Sequence, residues 1–123
     1  MTGQTVFYFV AADCSPDVED KFNAWFDDVH IPLLLKFHRL RSVTRYKLAQ
    51  PDPPARKHYR LVEQWPKYLT TYEFDSLDAA MEYLQSPELE AARQEMQQTW
   101  TKGEVRVDWR VHYEFLGRRD RGS

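Results

Sequence analysis

Cysteine and glycine are scarce in this chain of 123 residues, which contains one Cys and four Gly. Cys14 alone can form neither an internal disulfide nor a cysteine-based metal cage, and this usage is typical of a reducing cytoplasm, which we take as the expected location. The few glycines form no phosphate-binding loop. The N-terminus lacks the basic start of a signal peptide, and the apolar run at 6–12 is far shorter than the ~20 residues of a membrane span.

Charge of either sign is nearly balanced, with a net charge of −2 at pH 7, so the chain has no long-range field that would attract nucleic acid or an anionic membrane. Aromatic residues, in contrast, make up 15% of the chain. They suit a packed core and equally a cavity for a flat apolar ligand. The length indicates one domain, predicted at 1–116, followed by a disordered basic tail at 117–123.

Hydrophobic periodicity predicts the element order β-α-β-β-α-β. Strands are predicted at 6–12, 41–48, 68–74 and 105–115, and helical regions at 15–37 and 76–103. Ser86 and Pro87 predict a break in the second helical region, whose first half is expected to carry Leu77, Met81 and Leu84 on one face. This order is that of a ferredoxin-like α+β sandwich, with a four-stranded antiparallel sheet in the order 4-1-3-2.

The last predicted strand shows the most regular alternation in the chain. One face is expected to carry Val105, Val107, Trp109, Val111, Tyr113 and Phe115, and the other Arg106, Asp108, Arg110, His112 and Glu114. Two helices can cover only one face of the sheet. A homodimer that packs sheet against sheet is therefore expected to cover the other face.

The first helix carries a histidine beside its apolar stripe. At helical spacing the stripe consists of Phe22, Phe26, Val29, Leu33 and Phe37. His30 lies on its flank, and Pro32 predicts a kink because it has no N–H for the Asp28 carbonyl. A small pocket can start at such a point. The alternative is a histidine at the edge of the core that hydrogen-bonds to the backbone.

Three motifs carry a family resemblance. They are WFDDVHIPLL at 25–34, the pair Arg45 and Tyr46, and PKYLTTYEFD at 66–75. Together they resemble the EthD-type branch of the dimeric α+β-barrel superfamily, which shows an aromatic-Asp-x-x-His-x-Pro-x-Leu run, an Arg-Tyr on strand two and a Tyr-Leu-x-x-Tyr-Glu strand. That superfamily includes cofactor-free monooxygenases, polyketide cyclases and dehydratases, muconolactone-type isomerases and haem-degrading enzymes.

The resemblance implies that His30 projects into a cavity between sheet and helices as an acid/base group, with Tyr46 as a second polar, catalytic group. Residues expected to contact the substrate are Tyr8, Phe26, Leu34, Tyr72 and Trp100. His38, His58 and His112 leave open which histidine matters. The long connection at 51–66 is rich in proline and is expected to act as a lid over the cavity.

No metal-ligand spacing, nucleotide loop or flavin motif is found in the sequence, so we expect no cofactor. The predicted function is proton transfer, as isomerisation, cyclisation or dehydration, on a small apolar, aromatic or polyketide-like molecule. The alternatives are an oxygen-using, cofactor-free monooxygenase and a non-catalytic module that binds a small molecule. RNA binding is disfavoured because the third strand lacks the required glycine and carries an acidic residue in place of a basic one.

Overall fold

The computed structural model describes residues 4–50 and 65–122. Its strands are β1 (Val6–Cys14), β2 (Leu40–Lys47), β3 (Tyr68–Phe74) and β4 (Val105–Glu114). Its helices are α1 (Glu19–Trp25), α2 (Ile31–Leu34), α3 (Leu77–Leu84) and α4 (Pro87–Thr99). A 3₁₀ turn at Pro16–Val18 precedes α1, and a π-helical turn at Phe26–His30 joins α1 to α2. Most of the predicted lid at 51–66 lies outside the described residues.

The four strands form one antiparallel sheet in the order β2-β3-β1-β4, which confirms the predicted topology. The apolar strands β1 and β3 are central, and the more charged β2 and β4 form the edges. The helices pack on one face, so the fold is the predicted ferredoxin-like α+β sandwich. None of the helices in the described part of the chain has the length and apolar character needed to cross a membrane.

The sequence predicts a kink at Pro32, and the structure shows a π-helical turn just before it, at Phe26–His30. The Ile31 N–H donates to the Phe26 carbonyl, five residues back, instead of four. Because the turn is wider, His30 follows Phe26 onto the buried side while Val29 is left exposed. The predicted position of Val29 on the apolar stripe is therefore wrong, and His30 takes its place in the core. Single π turns of this kind are frequent at functional sites.

A bulge interrupts the alternation predicted for β4. Ala11 pairs with Trp109 but Ala12 pairs with Val107, so Asp108 is an extra residue. The side chains change faces at this point. Val105 and Val107 therefore lie on the helix-covered side together with Arg110, whereas Trp109 lies on the open side. The prediction that all the apolar residues of this strand share one face is wrong for this reason.

Ser76 and Ser86 cap the two helices after β3, because their hydroxyls accept hydrogen bonds from the backbone N–H groups of Ala79 and Leu89, both at 3.1 Å. The predicted break at Ser86 is thus observed. The buried residues of α3 are Ala79, Ala80 and Tyr83. Leu77 and Met81 are exposed, since the small alanines allow the helix to approach the sheet and the large Tyr83 fills the core.

Two hydrophobic clusters fill the space between helices and sheet. The larger is centred on Tyr8, Phe74 and Tyr83, and the smaller on Phe22 and Trp25. In the smaller cluster, aromatic rings from α1 pack on Tyr68 and Trp100. The π-helical turn places His30 beside the smaller cluster, where the two clusters approach each other.

Candidate active site

A cavity of about 70 Å³ lies between the two clusters, under the helices and on the covered face of the sheet. Residues from both clusters line it, together with polar groups from the sheet and α4. The lining residues are Tyr8, Val10, Ala12, Phe22, Phe26, His30, Leu34, Thr70, Tyr72, Tyr83, Leu89, Arg93, Met96, Val105, Val107 and Arg110. Most of this surface is apolar, and few polar groups converge on it, as is typical of small-molecule sites.

His30 is the buried imidazole of this cavity and is only 9% exposed. Its ring stacks on the Trp25 indole, with centroids 4.7 Å apart and an angle of 25°, and meets Phe26 edge to face at 5.0 Å. Its Nδ1 is buried and has no hydrogen-bond partner among the described residues. Leaving such an atom unpaired costs roughly 1–3 kcal/mol.

Burial lowers the pKa of His30 to about 4, because the low-dielectric surroundings disfavour the charged ring. The Glu95 carboxylate opposes this shift and the Arg45 guanidinium adds to it. At neutral pH the imidazole is therefore uncharged and offers a lone pair. In these surroundings it is a weaker base than a free histidine.

Residues outside the cavity lining restrain the ring of His30. The Trp25 indole that stacks on it donates from Nε1 to Glu95 Oε1 at 2.8 Å, and the Thr99 hydroxyl donates to the other oxygen of Glu95. Arg45 lies 4.3 Å from the Phe26 centroid and donates to Asp27 at 3.1 Å. Trp25, Glu95 and Arg45 therefore position the imidazole, although none of them lines the cavity.

Three tyrosines supply hydroxyl groups to the cavity. The Tyr8 ring lies 5.8 Å from that of Tyr72 and 6.4 Å from that of Tyr83. Burial raises the pKa of all three hydroxyls, so they stay protonated at neutral pH and can donate hydrogen bonds. Such donors can stabilise negative charge that develops on a substrate oxygen.

The structure brings together most of the predicted substrate contacts, because Tyr8, Phe26, Leu34 and Tyr72 all line the cavity with His30. Trp100 does not line it. Its indole packs behind the site, 5.7 Å from Trp25. Trp100 lies in the connection from α4 to β4, and its ring packs against the edge of the smaller cluster.

Tyr46 lies on the opposite face of the sheet and does not meet His30 within one chain. It pairs with Leu69 on β3, is 52% exposed, and borders a shallow depression with Trp65 and Trp109. Strand alternation explains this position, because the neighbouring Arg45 faces the helices. The prediction that Tyr46 is the second polar group of the His30 cavity is therefore corrected, and Tyr8 and Tyr72 occupy that role geometrically.

His38 and His112 do not line the cavity. His112 stacks on Tyr8 with centroids 4.3 Å apart, and burial lowers its pKa. His38 is exposed next to Phe37, and His58 is outside the described residues. In residues 4–50 and 65–122 no three His, Cys, Asp or Glu side chains are grouped so that they could hold a metal ion.

Among the lining residues that sequence reasoning missed are the two arginines, Arg93 and Arg110. A weak signal for Arg93 was present, since it follows Leu89 by four residues and precedes Met96 by three on α4, and therefore shares their face. Arg110 was predicted on the face of β4 with His112, and the structure shows that this face is the covered one for that part of the strand.

The sandwich, with its cavity on the covered face of the sheet, defines a ferredoxin-like α+β protein. The chain belongs to a family described as a domain of unknown function (DUF4286), whose model matches residues 5–116. No functionally curated protein is significantly similar to it.

Solved structures with the same fold are similar to it at low sequence identity. HapK from Hahella chejuensis superposes with a TM-score of 0.65 at 11% identity, covering 96% of this chain and 99% of that one. An ethyl tert-butyl ether D (EthD) family protein from Bacillus halodurans gives a TM-score of 0.61 at 13% identity, covering 94% and 100%. A candidate monooxygenase from Shewanella loihica PV-4 gives 0.53 at 10% identity, covering 96% and 99%. The predicted EthD-type fold is thereby confirmed.

Proposed function

We propose that the chain is a cofactor-independent enzyme that transfers protons within a small, largely apolar molecule bound in the cavity. The observation that carries the proposal is the imidazole of His30, which is buried in the lining of an apolar cavity and makes no hydrogen bond through Nδ1 in the described chain. Uncharged His30 takes a proton from a carbon of the substrate and returns it at another position. Hydroxyls of Tyr8 and Tyr72 donate to the oxygen of the enolate formed in between.

The low pKa of His30 restricts the substrates. A base with a pKa of about 4 removes only protons that a neighbouring carbonyl has already made acidic. Isomerisation, cyclisation and dehydration of activated carbonyl compounds meet this condition. An unactivated hydrocarbon does not, which favours an aromatic or polyketide-like molecule that carries a carbonyl group.

The size of the cavity sets a second restriction. Its volume of about 70 Å³ is smaller than the ~150 Å³ of an engineered cavity that binds benzene. An aromatic substrate therefore enters fully only if the lining moves. Met96 and Arg93, both on α4, are long and flexible enough to allow this movement.

An oxygen-using, cofactor-free monooxygenase is the second candidate, and the likeness to the Shewanella protein favours it. It would use the same cavity but would consume oxygen with turnover. A module that only binds a small molecule is the third, and it would bind ligands without any turnover. Oxygen electrode measurements and product analysis separate these candidates.

Hydrogen–deuterium exchange of small ketones and cyclic diketones in D₂O tests the proposal with simple model compounds. We expect the protein to catalyse exchange at the carbon next to the carbonyl. His30→Ala should lower that rate by roughly 10²–10⁴-fold, the usual contribution of a positioned base. His38→Ala, a change at an exposed histidine, is the control and should leave it unchanged. Equal rates for wild type and His30→Ala would contradict the proposal.

We further propose that the active form is a homodimer. The face of the sheet that the helices do not cover carries large exposed side chains from β4 and β2, including Trp109, Tyr113 and Tyr46. A second copy packed on this face would remove them from water. The dimer would then have two cavities, one on each outer side of the paired sheets.

A further inference from the structure

Arg93 and Arg110 differ from the other arginines on the described helices and strands. Arg41, Arg45 and Arg106 form ion pairs with Asp75, Asp27 and Asp108. Arg93 and Arg110 have no carboxylate partner and no hydrogen bond among residues 4–50 and 65–122.

Arg93 and Arg110 line the same cavity from different elements. Arg93 comes from α4 above the sheet, and Arg110 comes from the edge strand β4, where it pairs with Val10. Tyr8 lies near both, because the positive charges of Arg110 and Arg93 both act to lower the pKa of its hydroxyl against the larger effect of burial. The two cations therefore act on one point of the cavity.

The remainder of the lining between them is apolar and includes Val10, Val105 and Val107. Two like charges beside an apolar surface, without a counterion, repel each other, and an anion between them removes the repulsion. Arginine suits this task because its planar fork binds a carboxylate through two parallel hydrogen bonds.

We propose that Arg93 and Arg110 together bind the carboxylate of an organic acid whose apolar part enters the cavity towards His30. The proposal rests on the function proposed above and specifies its substrate class as a small apolar monocarboxylate that also carries a carbonyl group. The carboxylate end lies at the exposed side of the cavity, where Arg110 reaches solvent, and the apolar end lies against the aromatic rings around His30.

Matched pairs of probes test this directly. Benzoate and isovalerate are titrated against the protein by NMR, and the uncharged benzamide and isovaleramide serve as partners of the same shape. We expect the acids to bind at least tenfold more tightly than the amides. We also expect their affinity to fall at high salt, because the contact is ionic and partly exposed.

The two arginines are then changed one at a time. Arg93→Gln and Arg110→Gln should each lower benzoate affinity by about tenfold and leave benzamide unaffected, and Arg93→Lys should recover part of the loss. Arg119→Gln in the exposed tail makes the same change in net charge and is the control. If Arg93→Gln fails to fold, Arg110→Gln at its exposed position carries the test.

Three results would overturn the proposal: equal binding of benzoate and benzamide, unchanged benzoate affinity in both arginine variants, or inorganic phosphate binding as tightly as benzoate. The last would indicate a simple anion site with no role for the apolar cavity. Failure of the proton-transfer function is distinguishable, because His30→Ala would then keep exchange activity while the arginine variants still lost benzoate affinity.

Discussion

On the helix-covered face of the sheet, one row across the four strands consists of Arg45, Thr70, Val10 and Arg110. The next row, on the open face, consists of Tyr46, Leu69, Ala11 and Trp109. Each residue of one row is the chain neighbour of a residue in the other. Yet Thr70, Val10 and Arg110 of the first row line the cavity, whereas the second row is apolar and has exposed aromatic rings at both of its ends.

The two faces of the sheet therefore provide different environments. On the covered face, helices exclude water but do not fill the space completely, so His30, Thr70 and the tyrosines lie in a low-dielectric cavity where polar interactions are strong. On the open face, the large side chains of the edge strands lie in contact with solvent and offer mainly apolar area. The proposed ligand chemistry therefore belongs to the covered face, and the proposed assembly to the open one.

The largest expected effect is on the covered face, at Phe22. This ring is 1% exposed and packs against Trp25, Phe26, Tyr68 and Trp100. Phe22→Ala should lower the free energy of unfolding by about 3–5 kcal/mol, because it leaves a cavity that rigid neighbours cannot fill. Urea denaturation measures this loss. A loss below ~1 kcal/mol would show that the smaller cluster is not a packed core.

The next effect is the pH dependence caused by His30. Its pKa is about 4 in the folded chain and 6.5 when unperturbed, so only the unfolded chain binds a proton between these values. Stability is complete above pH 6.5 and falls by about 3 kcal/mol as the pH drops to 4. His30→Phe should remove that part of the acid sensitivity.

The measurement compares unfolding free energies at pH 7 and pH 4 for wild type and variant. His38→Phe is the control, since His38 is exposed, and it should keep the wild-type acid sensitivity. Glu95 and Arg45, the charged groups that act on His30, are present in both variants. An equal loss of stability in wild type and His30→Phe would contradict the buried, uncharged imidazole.

A smaller effect is expected on the open face. Light scattering at micromolar concentration should give twice the chain mass of 14.7 kDa. Trp109→Ala should weaken the dimer by about 2 kcal/mol, the loss typical of a central aromatic residue at an interface. Leu116→Ala, at a residue that is 91% exposed beyond β4, should not change it. A wild-type monomer at this concentration would rule out the assembly role of the open face.

The fold was predictable because its signals are local and redundant. Alternation in the strands, the capping serines Ser76 and Ser86, and the contrast between apolar β1 and charged β2 all favour one topology. His30 was also identified, from its place beside an apolar stripe and before Pro32. These features depend on neighbours within a few residues along the chain.

The predictions that were wrong depend on backbone irregularities that hydrophobic periodicity does not reveal. One extra residue at Asp108 reverses the faces of β4, and one wide turn before Ile31 exchanges Val29 for His30 in the core. Arg93 was missed because a charged side chain on a helix is typical of solvent-exposed surface. These irregularities place His30, Val107 and Arg110 at the cavity, so its lining required the three-dimensional structure.

The smallest expected effect concerns Tyr46, the residue that sequence reasoning placed at the site. Because it lies on the open face, Tyr46→Phe should change stability by no more than about 0.5 kcal/mol and leave the deuterium-exchange rate of ketones unchanged. Tyr8→Phe, the same change on the covered face, should lower that rate by at least tenfold, since it removes a donor to the enolate oxygen. The reverse result would be a lower exchange rate for Tyr46→Phe and an unchanged rate for Tyr8→Phe. It would mean that the reaction takes place on the open face, between the paired sheets, and that the covered cavity is only a packing defect.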